Sequence, residues 1–265
     1  MAAGISLMEK IEGAGKKKIE LVEKSWVRYL IRAMLAGLFL TLATSMAMMV
    51  GDKLDHIAHG LGKFTYALFF GWALVMILYM NSELGTSNMM YFSANVAMKK
   101  AKVSQAAKVI GLCVLGNLIG AILFAWITAQ TSTFQNLPAD HFMFTAVAAK
   151  LAKTPWQIFF EGILANVVVN TAVIATINMK EDGAKVLSMV FIVFIFAFLG
   201  YEHVIANFSS FSLAFFASGG AVEGMTMAAT LTNLIVAFIG NFVGGGFVIG
   251  LTYVFLNKGE YYYKD

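Results

Sequence analysis

The stretch Gly200-Tyr201-Glu202-His203-Val204-Ile205-Ala206-Asn207 decides the fold, because it places an acid, a histidine and an amide inside the apolar segment 186–216. Within the hydrocarbon core of a membrane, irregular backbone is tolerated only where it lines a cavity or is buried in protein. An ionisable residue at that depth is by default a candidate for a functional site. The stretch therefore predicts a broken membrane helix, with His203 as the candidate site at the break.

A second apolar segment, residues 64–98, is interrupted in the same way by Asn81-Ser82-Glu83-Leu84-Gly85-Thr86-Ser87-Asn88. Each break holds a glutamate five positions before an asparagine, and the last apolar segment of each half contains Gly-Asn-x-x-Gly, at 116–120 and 240–244. Three segments per half is an odd number, so the two halves have opposite orientations in the membrane. An inverted repeat with paired interruptions is the best sequence indication of a substrate site near the midplane.

The composition indicates an integral membrane protein. Of the 265 residues, 59% are hydrophobic and 13% are charged, and the mean hydropathy is +0.75. The charged share is about half that of a soluble domain, which excludes an ordinary soluble protein and a disordered chain. We expect an all-α integral membrane fold with six spans, of which the second and fifth are broken. The apolar segments are residues 33–50, 64–98, 109–128, 156–179, 186–216 and 231–256.

Lysine and arginine set the predicted orientation. With a cytoplasmic N-terminus, fifteen of the 19 basic residues fall on the cytoplasmic side and four on the outer side, in agreement with the positive-inside rule. We expect residues 1–28 to form a cytoplasmic amphipathic helix against the membrane or the pore mouth. Residues 29–256 are the predicted channel domain, with repeats at about 29–128 and 156–256, and residues 257–265 are a cytoplasmic tail.

The acidic and amide residues of the two breaks are interpreted as structural. We expect Glu83 and Glu202 to accept hydrogen bonds from backbone N–H groups that the broken helices leave unpaired, and Asn88 and Asn207 to make similar repairs. The histidine pair of the first outer loop has no evident third ligand, so we predict neither a metal site nor a cofactor. The net charge of +4 is attributed to loops facing anionic lipid and not to nucleic-acid binding.

These stretches resemble motifs of the formate/nitrite transporter family. Residues 200–207 are similar to its G-[FY]-E-H-x-[IV]-A-N signature, and Gly162-Ile163-Leu164-Ala165-Asn166 is similar to its G-[IM]-L-[AC]-N string in the fourth span. Glu83-Leu84-x-Thr86 resembles its [DE]-L-F-T string in the broken second helix, and Gly240-Asn241 resembles its sixth span. The resemblance covers residues 25–256.

The resemblance implies an aquaporin-like six-helix protomer in the lipid bilayer, assembled as a homopentamer in which each protomer has its own pore. It implies conduction of small weak-acid anions such as formate, nitrite or hydrosulfide, and in some members acetate or lactate. It also implies that His203 is hydrogen-bonded to Thr86, that Asn166 belongs to the substrate path and that Lys150 lies in the outer vestibule. The implied apolar constrictions are formed by Phe70, Leu74, Leu84 and Phe196.

Gly85 departs from the family pattern, because relatives usually carry phenylalanine between the leucine and the threonine of the second-helix motif. Loss of a ring beside His203 is expected to widen the passage, and glycine also frees the loop backbone. We therefore predict that Gly85 is a selectivity position and that a larger acid such as lactate is tolerated.

The expected mechanism combines attraction and protonation. Lys150 attracts the anion, the apolar throat raises its pKa, and it crosses as the neutral acid with proton coupling beside His203. Two roles for His203 stay open: proton donor, or hydrogen-bond partner of the substrate.

The resemblance places the protein in a plasma membrane, by default a bacterial one. An aquaporin-like channel for neutral solutes is the alternative function, although no proline lies in a span to form paired Asn-Pro-Ala motifs. A membrane enzyme lacks an evident nucleophile or metal partner for the histidine, so no enzymatic activity is expected. A scaffold or sensor without conduction is the third alternative.

Overall fold

The computed structural model describes residues 6–258, which form a bundle of helices with no strand in that range. Residues 1–5 and 259–265 lie outside the described part, and most of the predicted tail at 257–265 lies there with them. Within residues 6–258, six helices are long and apolar enough to cross a membrane. The prediction of an all-α membrane fold with six spans is confirmed.

The first helix, α1 (Leu7–Asp55), contains both the N-terminal amphipathic segment and the first span. It begins with a capping box, in which the Ser6 hydroxyl accepts from Glu9 N–H and the Glu9 carboxylate accepts from Ser6 N–H at 2.8 Å. Ser25, with φ −161° and ψ 81°, is extended and divides the helix into two parts. The division comes slightly before the predicted boundary at residue 28.

The N-terminal part of α1 is held against one end of the bundle. Leu7 and Ile11 are buried. The Asn95 side chain donates to the Ile11 carbonyl at 3.1 Å, and Lys10 Nζ donates to the Ile177 carbonyl at 3.0 Å. Apolar burial and these two hydrogen bonds therefore fix the segment to helices of both halves.

The second span is broken as predicted. It consists of α2 (Leu61–Phe70), α3 (Trp72–Tyr79), a non-helical stretch at residues 80–84, and α4 (Gly85–Ala97). α2 and α3 meet at Gly71, where a Cβ atom would lie 2.9 Å from the Val190 Cα atom. Glycine thus permits a close approach between the second span and the fifth.

The third span is α5 (Val103–Ala129). A 3₁₀ turn at Ser132–Phe134 and the short helix α6 (Phe142–Leu151) connect the two halves of the chain. The fourth span, α7 (Pro155–Asn178), starts with a capping box at Thr154 and with proline in its first turn, where the missing N–H has no helical acceptor. α6 thus lies between the repeats, at the end of the bundle where α5 ends and α7 begins.

The fifth span is broken into α8 (Asp182–Leu199) and α9 (Val204–Ser218), with residues 200–203 between them. The sixth span consists of α10 (Met227–Phe242), a π-helical stretch at Val243–Leu251 and α11 (Thr252–Leu256). Each half therefore contains one broken helix, in corresponding positions of the repeat.

The glycines of the Gly-Asn-x-x-Gly motifs bring the last span of each half close to the first. A Cβ atom at Gly120 would lie 2.8 Å from the Cα atom of Met34 in α1. One at Gly244 would lie 3.1 Å from the Cα atom of Ile163 in α7. Close helix packing of this kind requires small residues, which accounts for the glycines of these motifs.

Candidate functional site

The two breaks meet inside the bundle, where Thr86 at the start of α4 faces His203 before α9. Thr86 Oγ1 lies 2.8 Å from His203 Nε2, and both residues are buried. His203 Nδ1 accepts the backbone N–H of Ala206 at 3.1 Å and so caps α9. Because Nδ1 is an acceptor, the neutral ring carries its hydrogen on Nε2 and donates it to the Thr86 hydroxyl.

Asn117 of α5 holds the first break in place. Its Oδ1 accepts from the N–H of Gly85 at 2.9 Å, and its Nδ2 donates to the carbonyls of Glu83 and Ala33, both at 2.8 Å. Helix ends leave such N–H and carbonyl groups without partners, and one buried amide satisfies them on both sides of the break. It also ties the break to α1.

Asn241 of α10 makes the same bonds in the second half. Its Oδ1 accepts from Val204 N–H at 2.8 Å, and its Nδ2 donates to the Glu202 carbonyl at 2.9 Å and the Gly162 carbonyl at 2.7 Å. Sequence reasoning did not assign Asn117 and Asn241 to the site. The repeated Gly-Asn-x-x-Gly motif was the signal that could have found them.

Glu83 is surrounded by side chains. Its Oε2 accepts from Lys18 Nζ at 2.5 Å, from Asn88 Nδ2 at 3.2 Å and from Tyr29 Oη at 3.3 Å. Asn88 Nδ2 also donates to Tyr29 Oη at 2.8 Å. The N-terminal part of α1 thus supplies the cation that balances the first-half carboxylate.

Glu202 is fully buried and has four side-chain donors. Lys153 and Lys150 donate to its Oε1 at 2.7 and 3.1 Å, and Asn207 and Asn233 donate to its Oε2 at 2.6 and 3.2 Å. Sequence reasoning missed Lys153 and Asn233, because they lie far from residue 202 along the chain.

These contacts correct one expectation about the breaks. The carboxylates of Glu83 and Glu202 were expected to accept backbone N–H groups, but in the described residues their partners are side chains. Asn88 and Asn207 likewise donate to these carboxylates and do not repair the backbone. The freed N–H groups of Gly85 and Val204 instead donate to Asn117 of α5 and Asn241 of α10.

Asn166 lies beside Thr86, and its side-chain amide is hydrogen-bonded to other groups of the protein. Its Nδ2 donates to the carbonyls of Thr86 at 3.1 Å and Asn241 at 2.7 Å, and its Oδ1 accepts from Asn170 Nδ2 at 2.9 Å. It is fully buried and does not line the central cavity described next. The structure therefore places Asn166 behind the Thr86 backbone.

The predicted constriction residues come together around His203. Phe70, Leu74, Leu84 and Phe196 line a narrow central cavity of about 20 Å³ with it. The Phe70 and Phe196 rings meet edge to face at 5.7 Å between centroids, and the Phe196 ring lies 5.6 Å from the imidazole. The remaining lining residues are apolar: Leu40, Ala73, Ile77, Val169 and Val193. Among residues 6–258, His203 is thus the one polar side chain that lines this cavity.

Gly85 does not face the cavity. A Cβ atom there would lie 2.7 Å from Val114 Cγ2 and 3.2 Å from Asn117 Oδ1, both in α5. The expectation that the absent ring widens the passage beside His203 is corrected accordingly. A side chain at position 85, the first residue of α4, would point toward α5. Glycine at this position allows α4 and α5 to pack closely.

A wider cavity, the lysine vestibule, lies on the Phe196 side of the constriction. It has a volume of about 380 Å³, and its charged lining residues are Lys63, Lys150, Lys153 and Glu161. Burial lowers the pKa of Lys153, but Glu202 and Glu161 raise it by more, so the net shift is upward. Lys153 thus stays protonated within the ion-pair cluster.

A cavity at the opposite end, also about 380 Å³, is the α1 vestibule. Its charged lining residues are Lys17, Lys18, Arg32 and Glu83. Each vestibule therefore combines several cations with the glutamate of one break. Glu83 lines the α1 vestibule, and Glu202 is bonded to two lysines that line the lysine vestibule. Between them lies the narrow apolar cavity with a single histidine.

Known proteins with similar sequences are transporters. A family model described as "Formate/nitrite transporter" matches residues 6–255. The chain is 30% identical to the uncharacterized transporter YwcJ of Bacillus subtilis over 96% of this chain and 98% of that protein. It is 29% identical to the nitrite transporter NirC of Escherichia coli over 84% of this chain and 81% of that one.

Solved structures agree in fold. An FNT family ion channel has a TM-score of 0.86 at 24% identity, covering 94% of this chain and 98% of that chain. A pentameric formate channel with formate bound has a TM-score of 0.74 at 23% identity, covering 87% and 97%.

An inverted repeat with two broken helices, and a buried histidine–threonine pair beside a narrow apolar cavity, define a multi-pass membrane protein with a candidate transmembrane path. The match over nearly the whole chain goes further: this protein belongs to the formate/nitrite transporter family. That family consists of transporters and channels and not of enzymes.

Proposed function

We propose that the protein conducts small monovalent weak-acid anions, formate first, and carries a proton with each. The observation that supports this is the sequence of environments along the path. A vestibule with three lysines leads to a cavity of about 20 Å³ with one polar side chain, and a second vestibule with three cations follows. Charged ends attract an anion, whereas the middle disfavours any charge.

The magnitudes favour crossing as the neutral acid. Moving a bare carboxylate into an apolar interior has an idealised cost of about 20 kcal/mol, reduced to several after relaxation. Protonating an acid with a pKa of about 4 at pH 7 costs about 4 kcal/mol. The neutral acid then loses only a few kcal/mol for its polar atoms.

The hydrogen-bond directions define a role for Thr86. His203 Nδ1 is occupied by Ala206 N–H and Nε2 points at Thr86 Oγ1, so the imidazole presents no unbound nitrogen. The Thr86 oxygen accepts from the ring, which leaves its hydroxyl hydrogen to donate. In our proposal, His203 orients this hydroxyl. Thr86 is buried and does not line the resting cavity, so the hydroxyl donates to an oxygen of the passing acid only when the acid displaces side chains beside His203.

We also propose an orientation of the protein in the membrane and an oligomeric state. In our proposal both termini face the cytoplasm, which the distribution of basic residues supports, and the membrane is a bacterial plasma membrane. The lysine vestibule then opens outward and the α1 vestibule inward. The solved neighbour described as a pentameric formate channel supports a homopentamer in the lipid bilayer. The relative named as a nitrite transporter supports nitrite as a further substrate.

The test is uptake by proteoliposomes that contain a pH-sensitive dye. Formate added outside should acidify the lumen faster than in protein-free liposomes, and lactate in the same assay measures whether the constriction passes a larger acid. Formate influx without acidification would contradict proton coupling. Osmotic swelling in glycerol with no acid flux would favour the neutral-solute alternative instead.

A further inference from the structure

Three lysines line the lysine vestibule, and two of them are neutralised by carboxylates. Lys150 and Lys153 both bind Glu202 Oε1, at 3.1 and 2.7 Å. Lys153 also binds Glu161 Oε2 at 2.5 Å and donates to the Gly200 carbonyl at 2.7 Å. Two cations and two anions therefore form a balanced cluster, and Lys150 has little net charge left with which to attract an anion.

Lys63 is different. Among residues 6–258, no carboxylate lies within 4.0 Å of its ammonium group, and Nζ lies over the Phe198 ring, 5.7 Å from the centroid. The side chain is exposed and lines the same vestibule. The excess positive charge of the vestibule is thus the charge of Lys63.

Lys63 does not stabilise the helix in which it lies. It lies in the first turn of α2, which begins at Leu61. A cation in the first turn is disfavoured by the helix macrodipole, which is positive at that end. The same dipole adds to the positive potential that an anion meets there.

Lys63 lies on the same face of α2 as residues that extend toward the constriction. Residues 63, 66 and 70 follow a spacing of three and then four, which places them on one face of a helix. Tyr66 lines the lysine vestibule, Phe70 lines the central cavity, and their rings stack at 5.6 Å between centroids. One helix face thus runs from the unpaired ammonium group to the narrow point of the path.

We propose that Lys63, and not Lys150, captures the substrate anion in the lysine vestibule. This inference rests on the proposed function, since it assumes that an anion enters there. A small carboxylate binds transiently near the Lys63 ammonium group and then moves along the Tyr66 face to Phe70. Lys150 and Lys153 stabilise Glu202 and the break.

The expected effect follows from Coulomb attraction. A unit charge about 7 Å away in a water-like medium raises the local anion concentration about threefold, and focusing by a cleft can raise it tenfold. Replacing Lys63 should therefore slow uptake at low formate concentration by about threefold to tenfold. The effect should depend on salt, because the Debye length falls from about 30 Å at 0.01 M to about 3 Å at 1 M.

The experiment compares initial formate uptake by wild type, Lys63→Met, Lys63→Arg and Lys53→Met at these two ionic strengths. Lys53 is an exposed lysine at the end of α1 that does not line the vestibule, so it is the matched control. We expect Lys63→Met to be slower at low salt and equal to wild type at high salt. Lys63→Arg and Lys53→Met should match wild type at both.

Charge reversal gives a second measurement if Lys63→Met is poorly produced. Lys63→Glu should be slower still at low salt, and added salt should speed it up, whereas salt slows the wild type. Equal uptake by wild type and Lys63→Met at low salt would overturn the inference and leave the proposed function standing. An equal defect at both ionic strengths would also overturn it. Absence of any formate uptake by wild type would overturn both.

Discussion

Asn241 offers the sharpest test of how the breaks are held. Replacing it with alanine removes one acceptor, for Val204 N–H, and two donors, to the Glu202 and Gly162 carbonyls. All three backbone groups belong to the buried interior around the fifth and fourth spans, and Asn241 is itself fully buried. Water is therefore not at hand to replace the lost bonds.

The magnitude can be worked from these three bonds. A buried polar group left without a partner costs about 1–3 kcal/mol, so three such groups give roughly 3–6 kcal/mol after partial relaxation. For a chain of this size, 1 kcal/mol corresponds to about 2–4 °C in Tm. The Tm of Asn241→Ala is therefore expected to be lower than that of wild type by at least about 6 °C.

The assay is thermal unfolding of the purified protein in detergent, with formate uptake measured on the same preparations. Asn117→Ala should lose a similar amount, because Asn117 makes the matching three bonds in the other half. Asn178→Ala is the control, since Asn178 is exposed at the end of α7. A Tm for Asn241→Ala within about 2 °C of the control would refute the reasoning, because it would mean less than about 1 kcal/mol for all three bonds.

Further perturbations test other contacts. Gly85→Ala should destabilise by about 1–3 kcal/mol through overpacking against Val114, and Val114→Ala should recover part of the loss in thermal unfolding; equal stability of Gly85→Ala and wild type would contradict the packing assignment. Glu202→Gln should cost about 3–5 kcal/mol, because the cluster loses one of its two negative charges and Lys150 loses its carboxylate partner; an unchanged Tm would show that the cluster is not coupled. Thr86→Val should slow formate uptake about fivefold or more, the equivalent of one hydrogen bond, with Thr86→Ser near wild type; equal rates for Thr86→Val and Thr86→Ser would exclude the hydroxyl as the donor.

The fold could be read from the sequence because its strongest signals are local. Polar residues clustered inside an apolar segment of membrane length leave few structures other than a broken helix, and the same interruption in both halves reveals the repeat. The structure confirms both breaks, at residues 80–84 and 200–203. The kink at Ser25 gave no comparable signal, since serine is neither rare in helices nor a strong helix breaker.

The site was less accessible to sequence reasoning because its contacts join distant residues. Lys153 and Glu202 are 49 positions apart, and Asn117 and Gly85 are 32 positions apart. The types of residue indicated burial and pairing, but the choice of partner depends on which helix lies alongside each break. The surroundings of Gly85 could not be predicted from the sequence either, because the direction in which a Cβ atom would point there is set by the path of the chain into α4.

The polar pair departs from the symmetry of the inverted repeat. Leu84 and His203 occupy the same position, each following the break glutamate and standing immediately before the second helix of the broken span. Both line the central cavity. Asn117 and Asn241 then bind the next N–H in the same way, so the two halves share one scaffold.

The halves differ in what this scaffold presents. The second half supplies His203 where the first supplies Leu84, and the first supplies Thr86 where the second supplies Ile205. Each polar residue therefore finds its partner in the opposite half, at 2.8 Å. A symmetric pair of histidines would place two like charges in an apolar cavity whenever both were protonated, and a symmetric pair of apolar residues would leave no hydrogen bond for an acid. One histidine paired with one threonine avoids both, because it leaves a single hydrogen-bond donor beside a cavity whose other lining residues are apolar.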